Sequence, residues 1–228
     1  MTTALKLFSS MATKELLARV CPLHANASGQ AVDAISIGGV DVNRRIRGGE
    51  AFDAAVLAAD NIDKLIAEGL LAPGRVDLVR SGIAVAVRRG ASRPALSDEA
   101  AVRDAVRAAP SVSYSTGPSG VYLEKLFERW GIADEIRPRI VQAPPGVPVG
   151  QLVAEGKADL GFQQLSELKH LAGIDVIGPL PAAIQLVTTF SAGVSANCAR
   201  PEAVRALLAF INSPAADAAR LESGMEAA

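Results

Sequence analysis

The sequence predicts an α/β chain of two lobes, each a mainly parallel sheet flanked by helices, with two hinge crossings between them. Three observations predict it. Short β-branched runs alternate with stretches of helical periodicity, the pattern of parallel strands joined by crossover helices. Half of the 228 residues are apolar, enough for a substantial core. Two strand-like stretches, Arg80–Val87 and Gln185–Phe190, are placed to carry the chain out of one lobe and back. The expected division is residues 1–80 with 186–228 in one lobe and 81–185 in the other. Two crossing strands make a hinge on which rigid lobes can close.

In order, Leu5–Phe8 reads as a strand, Ser9-Ser10-Met11 as a turn and Ala12–Val20 as a helix with Leu16, Leu17 and Val20 inward. Ala31–Ile37 is the next strand, followed by Gly38-Gly39 and a short polar helix through Asn43 and Ile46. Phe52–Ala59 is the third strand, and Asn61 is the expected cap of a helix that Gly69 stops. Ser81–Arg89 alternates as a strand, and Ser97 is the expected cap of a helix to Ala108. Ser111–Ser115 is a strand. A glycine-bearing loop, Thr116-Gly117-Pro118-Ser119-Gly120, leads to a helix with Leu123, Leu126, Phe127 and Trp130 on one face. Arg139–Gln142 reads as a short strand, Val149–Glu155 as a helix, and Ala158–Phe162 as a strand with Gln163-Gln164 directly after it. Asp175–Ile177 and the long run Ile184–Ala196 are further strands. Pro201 and Ser213-Pro214 start the last two helices.

Composition narrows the function. A net charge of −1 and 4% aromatic residues disfavour nucleic acid, which needs a basic patch and stacking platforms. Arg44, Arg45 and Arg47 form one short basic cluster, read as a solvated helix face. Two cysteines, Cys21 and Cys198, and two histidines, His24 and His170, fit no zinc or redox spacing, so neither metal nor cofactor is expected and the thiols are expected free. No apolar run is long enough to span a membrane. The start, Met1-Thr2-Thr3-Ala4-Leu5, shows no signal-peptide pattern. The chain as given is expected in the cytoplasm, and in the periplasm if it is a trimmed mature form.

The candidate chemistry lies in three loops of one form, a strand followed by small or hydroxyl residues and a helix start: Ser9-Ser10-Met11, Gly38-Gly39-Val40 and Thr116–Gly120. Helix starts present unpaired N–H groups and a positive dipole end, and small residues let an anion approach. In open parallel sheets the ligand crevice lies at the carboxyl ends of the strands. Taken singly, each loop is an ordinary cap or turn; together they favour a small-molecule anion. The candidate ligand residues are Ser9, Ser10, Met11, Thr116, Ser119, Gly120, Gln163 and Gln164, with Arg80 as a bidentate clamp for a carboxylate. Arg44 is a weaker candidate. Tyr114 and Tyr122 are expected to pack in the core, and Lys14 and Glu15 to be solvated.

At these loops the chain resembles the periplasmic molybdate-binding protein family, the type 2 solute-binding fold. The resemblance rests on LKLFSSMATKELL (5–17), on Phe52–Ala59 with the following helix and Gly69-Leu70-Leu71, on TGPSGVYLEKLFERWG (116–131), on LVAEGKADLGF (152–162) and on FINSPAADAARLESGM (210–225). It implies the two-lobed periplasmic-binding-protein fold, a monomer, and an ABC importer as partner if the chain is exported. The departures matter too. The family has a serine in the second loop, where this chain has Gly39 and Val40, and often a tyrosine after the strand ending Gly-Phe, where this chain has Gln163. Each lost hydrogen bond to a charged ligand is worth about 1.5–3 kcal/mol. Two amides and an arginine suit a planar carboxylate better than molybdate. Ser223-Gly224-Met225-Glu226 and the glutamine pair resemble relatives of aconitate isomerase, which moves a double bond in a tricarboxylate without a cofactor. That resemblance implies a proton-transfer residue, for which Lys14, Tyr114 and Tyr122 are candidates and none is singled out. A sensing module cut from a regulator is a third reading, and the lack of a helix-turn-helix segment counts against it.

Overall fold

The computed structural model describes residues 3–228, so the Met1-Thr2 part of the N-terminal reading lies outside the described residues. The chain forms two compact units: one comprises the chain up to Ser81 with Thr188–Ala228, the other Gly82–Val187.

The first unit opens with β1 (Leu5–Ser10), a 3₁₀ turn at Met11–Thr13 and α1 (Lys14–Ser28). It continues through β2 (Val32–Ile37), α2 (Gly39–Arg47), β3 (Ala54–Ala58), α3 (Ala59–Ala67) and the first part of β4 (Val76–Arg88). β1 pairs in parallel with both β2 and β3, as strands joined by helical crossovers should. Side chains alternate across the strand and feed two cores. Leu5 and Leu7 cluster with Leu16, Leu17 and Val20 of α1. Phe8 clusters with Val42 and Ile46 of α2 and with Ile62 and Leu65 of α3. Full burial of each such side chain contributes about 1.5–3 kcal/mol.

The second unit takes the rest of β4, then α4 (Glu99–Ala108), β5 (Val112–Tyr114), α5 (Pro118–Arg129) and α6 (Ala133–Ile136). α7 (Val149–Ala154), β6 (Leu160–Gln164), α8 (Leu165–Leu168) and β7 (Ile174–Pro179) complete it. β5 and β6 are parallel, while β4 lies antiparallel to β6 and to β7. Leu123, Leu126 and Phe127 are buried with Phe162 and Val85, and Trp130 packs at the edge of that cluster, as the helical spacing predicts. On the opposite face, α7 sits close to β6 because Gly161 has no side chain. A Cβ there would stand 2.6 Å from Val153 Cγ2 and 2.9 Å from Val149 Cγ1.

The chain returns through β8 (Val187–Val194), α9 (Pro201–Ile211), α10 (Asp217–Glu222) and β9 (Glu226–Ala227). β8 lies between β3 and β4 in the strand order and runs antiparallel to β3. β9 pairs with β4, Arg80 opposite Glu226.

Several local expectations are corrected. Asn61 is not a cap: β3 runs straight into α3, which begins at Ala59, and Asn61 lies inside its first turn. The cap of α4 is Asp98, not Ser97. The Asp98 carboxylate accepts the Ala101 N–H at 2.9 Å, and Ser97 donates its hydroxyl to Asp98. A carboxylate complements the positive helix end better than a hydroxyl. The expected strand at Arg139–Gln142 reduces to one bridge, Val112 to Ile140, because Pro138 and Pro144 bracket it without donors for a ladder. β4 starts five residues before the expected Ser81. β8 starts three residues after the expected Ile184, since Gln185 turns its amide back to the Ile83 backbone, accepting at 2.8 Å and donating at 3.0 Å. Cys21 and Cys198 are free thiols, and burial pushes Cys21 up to about 11. No described helix is long and apolar enough to cross a membrane.

Candidate functional site

In the first unit the candidate groups gather where β1 ends. Ser9 and Ser10 are the last residues of the strand rather than a turn. Ser9 stands in register with Ser36 of β2, and their hydroxyl oxygens are 2.7 Å apart. Ser9 is fully buried and committed to that pair. Ser10 differs. Its Oγ is buried with no hydrogen-bond partner among the described residues, while its carbonyl accepts from the Thr13 hydroxyl at 3.2 Å. A buried unsatisfied hydroxyl costs about 1–3 kcal/mol, a cost that an incoming acceptor removes. Met11, half-buried, opens the following 3₁₀ turn. α2 begins at Gly39, where an added Cβ would meet only Leu57 Cδ2, at 3.9 Å. A serine would therefore fit where this chain has glycine. The Asn43 side-chain oxygen, also in α2, is a second buried acceptor without a partner among the described residues.

Arg80 is exposed, and its Nε donates to the Ala227 carbonyl at 3.1 Å. No described contact brings it to Ser9 or Ser10. The basic cluster is neutralised locally: Arg44 pairs with Asp41 at 2.6 Å, Arg45 with Glu50 at 3.8 Å and Arg47 with Glu68 at 2.8 Å. Lys14 is exposed.

In the second unit, β5 and β6 are parallel, so their carboxyl ends lie side by side. α7 packs on β6 and the chain leaves it to enter that strand, so its first turn meets the same end. After β5 the Ser115 hydroxyl accepts the Gly117 N–H at 3.3 Å and stands 3.5 Å from the Ser119 hydroxyl. α5 then starts at Pro118 with Gly117 as a cap residue that has no side chain to offer. Ser119 and Gly120 are buried in its first turn, and Thr116 is half-buried beside them. Gly120 is required by close approach: a Cβ there would fall on the Ser115 carbonyl oxygen. Both tyrosines are structural. Tyr114 packs edge-on against Phe127, and burial, aided by the nearby Glu124, pushes its hydroxyl up to about 12. Tyr122 donates to the Ile184 carbonyl at 2.9 Å.

Gln163 and Gln164 do not follow β6; they are its last two residues, and both are buried. Gln163 accepts the Val149 N–H at 2.8 Å through Oε1 and donates through Nε2 to Glu167 at 2.7 Å. Gln164 points to the other face, in register with Ile83. Glu167 on α8 was not among the candidates. Burial raises its carboxyl to about 7, against the pull of the Gln163 hydrogen bond in the other direction. The segment Leu165-Ser166-Glu167-Leu168 gave no signal, because a single helical turn has no period from which burial can be read.

The whole of this frame, residues 5–226, matches the family model of the bacterial extracellular solute-binding proteins. The chain belongs to that family. This solute-binding protein is 38% identical over 231 residues to an aconitate isomerase from a Pseudomonas species, covering 98% of this chain and 88% of that one. Among solved structures it resembles the periplasmic molybdate-binding protein of Azotobacter vinelandii, with a TM-score of 0.80 at 22% identity over 98% and 99% of the two chains. It also resembles the substrate-binding domain of a putative molybdenum transporter from Clostridium difficile, with a TM-score of 0.73 at 17% identity over the full length of both. Identities this low show the fold, and the α/β solute-binding fold is the one expected from the sequence, with the correction that its sheet is mixed rather than mainly parallel, β8 running antiparallel to β3, and β4 to β6, β7 and β9. Among the described residues no group of three or more histidine, cysteine or acidic side chains is placed to hold a metal ion.

Proposed function

We propose that this solute-binding-fold protein binds a small unsaturated di- or tricarboxylic acid and moves its double bond by proton transfer at carbon. One observation carries this reading: a 38% identity to an aconitate isomerase across 98% of this chain. The likeness to oxyanion binders is at 22% identity or less. The residues fit a carboxylate. Ser10 offers a hydroxyl that has no partner of its own, and the first turn of α5 offers N–H groups that no side chain caps. Such groups stabilise the charge that grows on a carboxylate when a proton leaves the neighbouring carbon.

The test is proton NMR of a di- and tricarboxylate panel with a catalytic amount of protein in deuterated buffer. New isomer peaks, or deuterium at a carbon position, support the proposal. Line broadening without turnover supports a second reading, a binder that hands the acid to an importer. That reading is favoured by the likeness to transporter binding domains and applies if the chain is exported. No change across the panel rejects the carboxylate.

Ser10 and Ser119 are each proposed as a ligand contact. Ser10→Ala and Ser119→Ala are each expected to weaken the best carboxylate about 10-fold by calorimetry, the worth of one hydrogen bond to a charged group. Unchanged affinity in both would remove these residues from the site. Arg80→Ala belongs in the same series, because Arg80 is held through Nε and has its terminal nitrogens to donate. Unchanged affinity there would remove the clamp alone.

A further inference from the structure

On the isomerase reading just given, we infer that Glu167 is the group that moves the proton and that Gln163 positions it. The argument starts from the amide. Gln163 Oε1 accepts the Val149 backbone N–H at 2.8 Å, so the Gln163 NH₂ must face away from α7. It faces Glu167 and donates to Oε1 at 2.7 Å. A side-chain amide flips freely in principle; here a backbone donor fixes it. Gln163 is therefore a one-way donor that holds one oxygen of the carboxyl, Oε1. The pair stands at the carboxyl end of β6, the strand that lies parallel to β5.

The carboxyl is also tuned. Desolvation raises it to about 7, where it exchanges a proton readily at neutral pH. No charge offsets that burial. β6, α7 and α8 carry no other ionisable side chain, and the nearest in sequence, Glu155, Lys169 and His170, are exposed. Lys14, Tyr114 and Tyr122 are poorer bases. The first is exposed, Tyr114 is pushed up to about 12, and Tyr122 donates to a backbone carbonyl.

The step balances without any co-reactant. Glu167 takes a proton from the methylene beside a carboxylate. The C–H pair becomes the new double bond, the old π pair accepts a proton at the far carbon, and Glu167 returns the one it took. The substrate is both source and sink of the proton, so no oxidant or reductant enters.

The experiment follows isomerisation and solvent deuterium uptake with aconitate as the probe, in wild type, Glu167→Gln and Gln163→Met. Glu167→Gln is expected to lower kcat by a factor of about 100 or more, in the range of general acid–base catalysis. Its calorimetric Kd should stay within about threefold, because the amide still accepts from Gln163. Gln163→Met is expected to keep measurable turnover while its acidic limb moves to higher pH, since the hydrogen bond from Gln163 favours the charged carboxylate. A purely structural glutamine would not move that limb. Wild-type turnover in Glu167→Gln overturns the assignment and leaves the isomerase reading standing. A wild type that binds aconitate but neither isomerises it nor exchanges its protons overturns both.

Discussion

Gly120→Ala is expected to destabilise the protein by about 3 kcal/mol, the upper end of the usual range for overpacking, and to abolish the response to ligand. The glycine is there for space and not for backbone freedom, since its φ is not in the left-handed region. The added methyl would land on the Ser115 carbonyl oxygen, 2.8 Å from the Ser115 carbonyl carbon and 3.2 Å from Tyr114 Cδ2. Two of these neighbours are backbone and cannot rotate away. Either α5 lifts off the end of β5 or the Ser115 loop moves, and both displace the N–H groups offered to an anion. Gly39→Ala is the internal comparison. It meets only Leu57 Cδ2 at 3.9 Å and starts a helix, where alanine is preferred by up to about 1 kcal/mol. Urea unfolding of the two variants should therefore give midpoints on opposite sides of wild type, or Gly39→Ala level with it. A Gly120→Ala midpoint equal to wild type would show that the loop is looser than the approach of α5 implies.

Glu167→Gln is expected to make the protein more stable at pH 8 and to leave it nearly unchanged at pH 4. The sign follows from the direction of the shift. The folded carboxyl titrates near 7 against an ordinary value of 4.5, so between those values the folded state holds a proton that the unfolded state has lost. Stability then falls as pH rises from about 4.5 to 7 and is level beyond. At about 1.4 kcal/mol per unit, the full loss is up to about 3.5 kcal/mol. A glutamine does not ionise and escapes it. Unfolding free energies of both proteins from pH 4 to 8.5 check this, and a wild-type-minus-variant difference flat in pH would refute it. The same carboxyl would then limit stability and serve turnover, a conflict common at active sites.

Much of the frame could be read from the residues because their patterns are long. The alternation from Leu5 to Leu65 and the spacing of Leu123, Leu126 and Phe127 each draw on many positions. The failures are local. Gln163 and Gln164 read as polar residues beyond a strand, yet they are buried in it; for Gln163, Val149 and Glu167 satisfy the amide. Those partners are 14 and 4 residues away, and no window on β6 alone contains the first. Nothing in the sequence of β2 announces that Ser36 faces Ser9; only the register of β1 on β2 does. Asn61 and Ser97 carried cap chemistry, but the caps were decided by where the strand handed over to the helix and by a stronger acceptor next door.

β8 lies between β3 and β4, although it is made more than a hundred residues after either begins to emerge from the ribosome. The first unit thus waits, with a vacant slot in its sheet, until almost the whole chain has been translated. The second unit is continuous in sequence, Gly82–Val187, and its last strand ends at Pro179, eight residues before β8 begins and before α9 and α10 of the first unit. Vectorial synthesis therefore favours the later-encoded unit as the first to fold, and leaves the facing edges of β3 and β4 unpaired until β8 arrives.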